Sequence, residues 1–271
     1  MNFTAFYLPQ FHPVPENDAI YGPGFTEWDN VRNAQPLFSG HYEPHIPHPS
    51  IGYYSLLDEQ FLEDQHRLAL AFGLNSFCYY YYNFAGHTVL EQPLIKINRS
   101  RKIKNNFCLC WVHTSWYDNR KAPNNPFILQ EYSLENAAKL FADLTKYWHN
   151  PRYILIDGCP LLVIWAPERH PQITAYAEVW RYLAKRSGWP GIFLAGVEAY
   201  LTAPPELFGL DAMIEFAPSW RKEDHVSEPD EKPVRIDYQK TINFMLTKPK
   251  PSYTRVRCTF PGWVNASMLA A

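Results

Sequence analysis

The chain has 271 residues, a formal net charge of −2 and 46% hydrophobic residues, which is enough for one large domain with a buried core. This composition excludes a disordered chain, and it offers no basic surface to nucleic acid or anionic lipid. No run of about 18 apolar residues predicts a membrane span. No signal sequence is visible, and the five cysteines, an odd number, favour free thiols in the cytoplasm.

Short apolar runs typical of strands alternate with longer stretches of helical periodicity. Seven strands are predicted in chain order, at residues 3–8, 76–82, 107–112, 160–165, 192–197, 212–216 and 255–260. Four helices are predicted between them, at residues 57–72, 89–97, 133–148 and 171–186. Residues 9–54, rich in Pro, Gly and His, are predicted to form one long functional loop.

Apolar strands that alternate with helices predict a parallel sheet covered on both faces, and a count near eight favours an α/β fold of the TIM-type (β/α)8 barrel class. Only 11 residues follow residue 260, which is too few for an eighth strand and its helix. We therefore expect a single domain over residues 1–271, truncated after about the seventh strand and lacking its C-terminal βα unit. The open edge of such a barrel predicts self-association.

The active site of a barrel of this class lies at the carboxyl ends of its strands. Aromatic residues make up 16% of the chain, and aromatic rings stack on the faces of sugars. Two predicted ligand residues lie well inside the long loop: Glu27 and Trp28, the second of which is equally consistent with a loop anchor. The other predicted substrate-binding residues lie at strand ends or just after them: Tyr7, Gln10, His12, Tyr80, Tyr82, Trp111, His113, Trp116 and Trp263.

Glycosidic bond chemistry generally needs two carboxyl groups, one as acid and one as base or nucleophile. Glu198 and Glu215 end neighbouring predicted strands, so they are the predicted catalytic pair. An equally open interpretation is that each is an ion-paired carboxylate at the edge of the core.

The segment HYEPHIPHP carries three histidines, His41, His45 and His48, whose number suggests a metal site. They lie on a loop interrupted by prolines, and no carboxylate has a matching offset. We interpret them as hydrogen-bonding loop residues, and no metal or organic cofactor is predicted.

Several short sequence motifs identify a family more specifically than the hydrophobic periodicity does. FYLPQFH at residues 6–12, GFTEW at 24–28, FCYYYYNF at 77–84 and FPGWVN at 260–265 resemble the WbsX-type family, and the resemblance covers nearly the whole chain. Members of this family are described either as glycosyltransferases of O-antigen and polysaccharide gene clusters or as proteins similar to glycoside hydrolase family 99. Glycoside hydrolase family 99 contains endo-α-mannosidases. The resemblance implies a (β/α)8 barrel, a glycan ligand, and no cofactor.

Three departures separate this chain from that family. The family continues to an NEWAEG-type segment that this sequence lacks, Val264 stands at an acidic position, and WVHTSW at residues 111–116 replaces WANENW. One hypothesis is an enzyme that forms or cleaves glycosidic bonds in surface polysaccharide (lipopolysaccharide or O-antigen) metabolism. The alternative is a truncated, catalytically inactive barrel with at most weak glycan binding. A metal-dependent deacetylase barrel is disfavoured, because no His/Asp ligand set lies at the strand ends.

Overall fold

The computed structural model describes residues 3–41, 46–118, 126–218 and 236–261. The strands are β1 (Thr4–Tyr7), β2 (Ser76–Phe84), β3 (His87–Val89), β4 (Asn106–Val112), β5 (Trp116–Tyr117), β6 (Pro126–Ile128), β7 (Leu155–Ile156), β8 (Cys159–Trp165), β9 (Phe193–Glu198), β10 (Ala212–Glu215) and β11 (Arg255–Val256). The helices are α1 (Pro15–Tyr21), α2 (Glu27–Asn33), α3 (Glu59–Ala71), α4 (Gln92–Arg99), α5 (Leu134–Trp148), α6 (Ile173–Arg186) and α7 (Tyr238–Thr247). None of these helices has the length and apolar character that crossing a bilayer requires.

Seven strands form one parallel sheet in the order β1-β2-β4-β8-β9-β10-β11. β3 and β7 add short antiparallel pairings to β2 and β8, and β5 pairs with β6 in a separate hairpin. The sheet curls, since the rings of Phe6 on β1 and Phe216 after β10 lie 5.9 Å apart. This confirms the predicted barrel class and all seven strands.

The curled sheet has an inner face and an outer face, because side chains alternate along each strand. On the inner face, Trp165 packs edge-on against Tyr80 and Phe216, with centroids 5.6 and 4.8 Å away. On the outer face, Trp111 stacks on Tyr176 of α6 at 5.8 Å.

The outer helices cover the sheet with apolar faces. Ser133 accepts a hydrogen bond from the Asn136 amide and so caps the start of α5, as predicted from its position before the periodic run. Trp148 of α5 and Trp180 of α6 are fully buried. The Trp180 indole N–H donates to the Ala137 carbonyl oxygen, which satisfies its polar atom inside the helix layer.

Residues 9–54 were expected to be a loop, but they contain α1 and α2. Pro15 fits the first turn of α1, where its missing N–H is not needed. α1 stops at Gly22, whose φ of 106° disfavours any side chain, and Asp18 Oδ1 accepts bonds from the backbone of Gly24 and Phe25. Helices of seven residues are too short to show periodicity, which explains why the sequence pattern missed them.

Candidate functional site

A cavity of about 1300 Å³ opens at the carboxyl ends of the parallel strands. One wall comes from the β1–α3 connection, a second from the β4–α5 connection, and a third from the ends of β8 and β9. The polar and charged residues that line it are Gln10, Asn17, Glu27, Asp29, Asn30, Asn33, Thr114, Ser115 and Arg169. The aromatic lining consists of Tyr21, Phe25, Trp116, Tyr117, Phe127, Tyr132, Trp165 and Tyr200.

A capping box at the start of α2 sets one wall. The Thr26 hydroxyl accepts from the Trp28 amide, and Asp29 Oδ2 accepts from the Thr26 amide at 2.8 Å. This fixed turn directs Glu27 into the cavity and sends Trp28 the other way. In the sequence TEWD, the side chains of Thr26 and Asp29 therefore cap the backbone of α2, and the Glu27 side chain remains available to the cavity.

Polar groups from the β1–α3 connection, from strand β2 and from the β4–α5 connection converge at one end of the cavity. The Glu27 amide lies 3.5 Å from the Gln10 carbonyl oxygen, and the Gln10 side-chain amide donates to the Tyr82 hydroxyl at 3.4 Å. Asn30 donates to Glu27 Oε2 at 3.1 Å, and the Trp116 ring packs edge-on against Tyr82 at 5.1 Å. A carboxylate, two amides, a phenol and an indole are thus brought together.

Flat rings form the remaining walls. Tyr21 and Phe25 stack on each other at 4.4 Å on the α1–α2 side, and Phe127 lies 6.0 Å from Trp116. Opposite, the Arg169 guanidinium lies 3.4 Å from the centroid of the Tyr200 ring. The cavity therefore offers ring faces with hydrogen-bonding groups between them.

Burial changes the acid–base properties of this end of the cavity. Removal from water raises the pKa of Glu27, the Asn30 hydrogen bond partly offsets that rise, and the charge of Asp29 adds to it. Burial likewise raises the pKa of Tyr82, which also feels the charge of Glu27. Glu27 therefore holds a proton more readily than a glutamate in water, while Tyr82 stays neutral.

Three of the residues predicted to bind substrate line the cavity: Gln10, Glu27 and Trp116. Two more lie directly behind it on the inner face of β2. Tyr82 contacts Gln10 and Trp116, and Tyr80 packs against Trp165.

The structure does not bring Tyr7, Trp111 and His113 to the cavity, and this corrects their expected placement. The Tyr7 hydroxyl donates to Gln65 of α3, and Trp111 packs against α6. His113 is buried with its Nε2 at 3.2 Å from the Ala166 carbonyl oxygen. All three lie among outer helices or loops, because strand alternation turned them away from the inner face.

Trp28 and His12 are also placed away from the cavity lining. Trp28 is buried against Phe11 and Tyr54, and its indole N–H donates to the Tyr54 carbonyl oxygen at 2.7 Å, so it anchors the loop. His12 is 1% exposed, and burial lowers its pKa to about 4, with the Pro9 backbone opposing the shift. Trp263 lies outside the described residues.

The predicted catalytic pair, Glu198 and Glu215, is adjacent as expected, since the two residues are register partners on β9 and β10. Their face is not the expected one. Trp165 pairs with Val197, and Val197 with Ile214, so the inner face holds these residues. Each glutamate follows an inner-face residue by one position and therefore lies on the outer face.

The contacts of both glutamates agree with this assignment. The Tyr253 hydroxyl donates to Glu198 Oε1 at 2.6 Å, and Arg255 lies 3.9 Å from Oε2. Glu215 lies 3.4 Å from Arg257, and its neighbour Lys248 is 3.7 Å away. These are ion-paired carboxylates beside the core, the second of the two interpretations that the sequence left open. The outer charge cluster denotes Glu198, Glu215, Lys248, Tyr253, Arg255 and Arg257.

The loop histidines do not assemble a ligand set in the part of the chain that the structure describes. His48 contacts Ser50, His41 accepts from the Leu37 amide, and His45 lies outside the described residues. Within the described ranges, no three His, Cys, Asp or Glu side chains are grouped to hold a metal ion.

Sequence reasoning missed several lining residues: Asn17, Tyr21, Phe25, Tyr132, Arg169 and Tyr200. The signal for the first three was local, because Pro15, the Gly22-Pro23-Gly24 turn and the Thr26/Asp29 capping pair mark two short helices on the rim. Nothing comparable marks Tyr132 or Tyr200, which follow from tertiary packing.

Known proteins resemble this chain over most of its length. An uncharacterized protein named WxcX of Xanthomonas campestris pv. campestris is 36% identical over 271 residues, covering 97% of this chain and 39% of that protein. WxcX of strain B100 of the same organism matches equally. The chain thus spans about two fifths of the length of these curated relatives.

Two solved structures align with this chain, and the one with a TM-score above 0.5 supports the fold. A glycoside hydrolase-like protein aligns with a TM-score of 0.53 and 12% identity, over 94% of this chain and 70% of its own. A GH99 endo-alpha-mannosidase from Bacteroides thetaiotaomicron aligns with a TM-score of 0.49 and 15% identity, over 79% of this chain and 60% of its own. Residues 3–268 match the family model described as Glycosyltransferase WbsX, and the chain belongs to that family.

Proposed function

We propose that this chain binds a neutral glycan in the cavity and takes part in forming or cleaving glycosidic bonds of a surface polysaccharide, such as a lipopolysaccharide or O-antigen. The observation that carries the proposal is the cavity lining, where Trp116 and Trp165 lie beside Gln10, Glu27 and Asn30. Ring faces suit the C–H surface of a sugar, and amides and carboxylates suit its hydroxyl groups. Membership of the family supports the same ligand class.

The size of the cavity supports an oligosaccharide. Pockets for small ligands usually measure about 300–1000 Å³, and this cavity reaches about 1300 Å³. It therefore has room for more than one sugar ring between the Tyr21 side and the Tyr200 side.

The charges around the cavity support a neutral ligand. Glu27 and Asp29 line it together with one cation, Arg169, among the described residues. A sugar diphosphate would bring two or more negative charges towards these carboxylates, and like charges repel. A neutral glycan has no such cost.

One observation favours a second candidate, a barrel that binds glycan without turnover. The predicted catalytic pair, Glu198 and Glu215, lies in the outer charge cluster and not at the cavity. If no other group acts as the acid or base, the chain would bind glycan but would not form or cleave glycosidic bonds.

Two further expectations belong to the proposal. The five cysteines are all free, which supports a reducing compartment such as the cytoplasm. Among the described residues, β1 and β11 each pair on one side only, which supports self-association through a sheet edge.

A binding experiment with matched variants tests the proposal. A panel of neutral oligosaccharides is titrated into the protein by calorimetry, followed by Trp116→Ala and, as control, Tyr182→Ala, whose ring is 59% exposed on α6. We expect Trp116→Ala to weaken binding about tenfold, which corresponds to about 1.4 kcal/mol, and Tyr182→Ala to change nothing. The proposal fails if no neutral glycan binds, or if both variants bind like the parent.

A further inference from the structure

Resting on the proposed function, we propose that Glu27 is the group that exchanges a proton with the bridging oxygen of the bound glycan. This role goes to a residue that the sequence suggested only as a ligand contact. It replaces Glu198 and Glu215, which lie on the outer face.

The position of Glu27 is fixed by backbone. It occupies the first position of α2, held by the capping box of Thr26 and Asp29 and by the approach of its amide to the Gln10 carbonyl oxygen. A carboxyl group on a rigid turn meets its substrate in one geometry, which proton transfer requires. Asn30 holds one oxygen, Oε2, at 3.1 Å, and this contact orients the group.

The surroundings of Glu27 differ from those of every other carboxylate at the site. Asp29 is bound to the Thr26 amide and lies 3.3 Å from Arg32. Glu27 has no Lys or Arg within ion-pair distance among the described residues, and burial raises its pKa. A half-buried carboxyl without a cation gives up its proton less readily than a free glutamate, which suits a group that donates a proton and takes one back in the reaction.

The step is balanced with water as the second reactant. The Glu27 carboxyl proton passes to the bridging oxygen while the bond from the anomeric carbon to that oxygen breaks, and the leaving sugar departs as an alcohol. A water oxygen then bonds to the anomeric carbon, and the proton it loses restores the Glu27 carboxyl. When the hydroxyl of a second sugar takes the place of water, the same exchange transfers the glycan.

Other groups near the cavity are less suited. Tyr82 lies behind Gln10, and burial raises its pKa further from neutrality. Arg169 is a permanent cation stacked on Tyr200. Neither exchanges protons readily near pH 7, so both remain groups that bind or orient.

The test uses pairs of probes that differ in one atom. Each pair is an oxygen-linked disaccharide and its amine-linked pseudodisaccharide, in which a protonatable N–H replaces the bridging oxygen. A protonated amine at that place gains a charge-assisted bond to an ionised Glu27, so we expect the amine-linked probe to bind about 30-fold more tightly than its partner. We expect Glu27→Gln to abolish that preference, so that the two probes of each pair bind this variant with the same affinity.

Glu16→Gln is the matched control. Glu16 lies on the neighbouring helix α1 and pairs with His87 at 2.8 Å, outside the cavity lining. The preference for the amine should persist in this variant. In the parent the preference should rise with pH as Glu27 ionises and fall again at higher pH as the amine loses its proton, and the rising part should be absent in Glu27→Gln.

The outcomes separate the two proposals. If the parent binds oxygen-linked sugars but shows no preference for the amine, or if Glu27→Gln retains the preference, the role of Glu27 is overturned while the glycan site stands. If the parent binds none of the probes, the proposed function itself is overturned.

Discussion

The two faces of the sheet at the end of β9 and β10 make an instructive contrast. On the inner face, Trp165 lines a cavity that also receives Glu27 of α2, a carboxyl without a Lys or Arg partner among the described residues. On the outer face, one residue further along, Glu198 and Glu215 are held by arginines, a lysine and a tyrosine hydroxyl. The carboxylates at the strand ends lie on the outer face with charged partners, whereas the carboxylate that is open to a ligand, Glu27, is carried by helix α2 at the rim of the cavity.

This contrast teaches that a position at the end of a barrel strand does not identify a catalytic residue. A shift of one residue moves a side chain from the cavity to the helix layer. In strands that are apolar on both faces, hydrophobicity does not reveal which residues point inward. The face must be established before chemistry is assigned.

The largest expected effect concerns the helix layer, where buried neutral histidines should make the fold acid-sensitive. Burial lowers the pKa of His66 to about 4 and that of His170 to about 3, and the positive charge of His113 contributes to the second shift. The folded state therefore binds these protons less readily than the unfolded state, so full stability is present above about pH 6.5 and is lost as pH falls below it. Urea unfolding at pH 7.5 and pH 5 should differ by about 2 kcal/mol for each histidine.

Variants sharpen this expectation. His66→Gln should remove the share of one histidine, about 2 kcal/mol, and His87→Gln, at a side chain that is 59% exposed, is the control for the substitution itself. A stability curve that is flat between pH 7.5 and 5 would contradict the burial of these rings.

The next effect tests the outer charge cluster directly. Glu198→Ala leaves Arg255, whose side chain is 6% exposed, without this carboxylate, and we expect a loss of about 3 kcal/mol in the free energy of unfolding. Glycan affinity of the folded variant should stay unchanged. Glu206→Ala, at an exposed position, is the control for stability. A folded Glu198→Ala protein that has lost its sugar affinity would break the comparison between the faces.

The smallest effect concerns the same outer row at Gly196. A Cβ there would lie 2.8 Å from Pro167 and 2.9 Å from Leu210, so Gly196→Ala should cost about 2 kcal/mol through overpacking. Gly191→Ala is the matched control, since its Cβ would meet only Cys159 Sγ at an ordinary 3.4 Å. Equal denaturant midpoints for the two variants would show that Gly196 is not packed closely against Pro167 and Leu210.

The fold could be predicted from sequence largely because each strand is a continuous apolar run bounded by turn residues. Strands β1 and β8 were found within two residues of their true limits, and α5 was found through its Ser133 cap. The edge of the sheet that carries the cavity follows from the barrel rule alone.

The individual site residues were harder to predict. Of the residues predicted to bind substrate, Gln10, Glu27 and Trp116 line the cavity, while Tyr7 and Trp111 face helices. Whether a strand residue reaches the cavity depends on whether the odd or the even positions of that strand point to the inner face. The pairing register with the neighbouring strands determines this, and the sequence of one strand does not reveal it. The α1–α2 rim depends on capping and turn residues spread over about 20 positions. These residues are visible in the sequence, but without the fold they do not show that two short helices lie at the cavity.

The rim between Gln10 and Asn33 has one further consequence. A single uninterrupted stretch of chain supplies the proton-exchanging carboxyl, its orienting amide and the Tyr21–Phe25 platform, while the sheet beneath contributes mainly support. Ligand preference can therefore diverge through exchange of one short gene segment, without disturbing the strands that fold around it. Replacing residues 10–33 of this chain with the same segment of a related barrel should therefore transfer the glycan selectivity of that barrel.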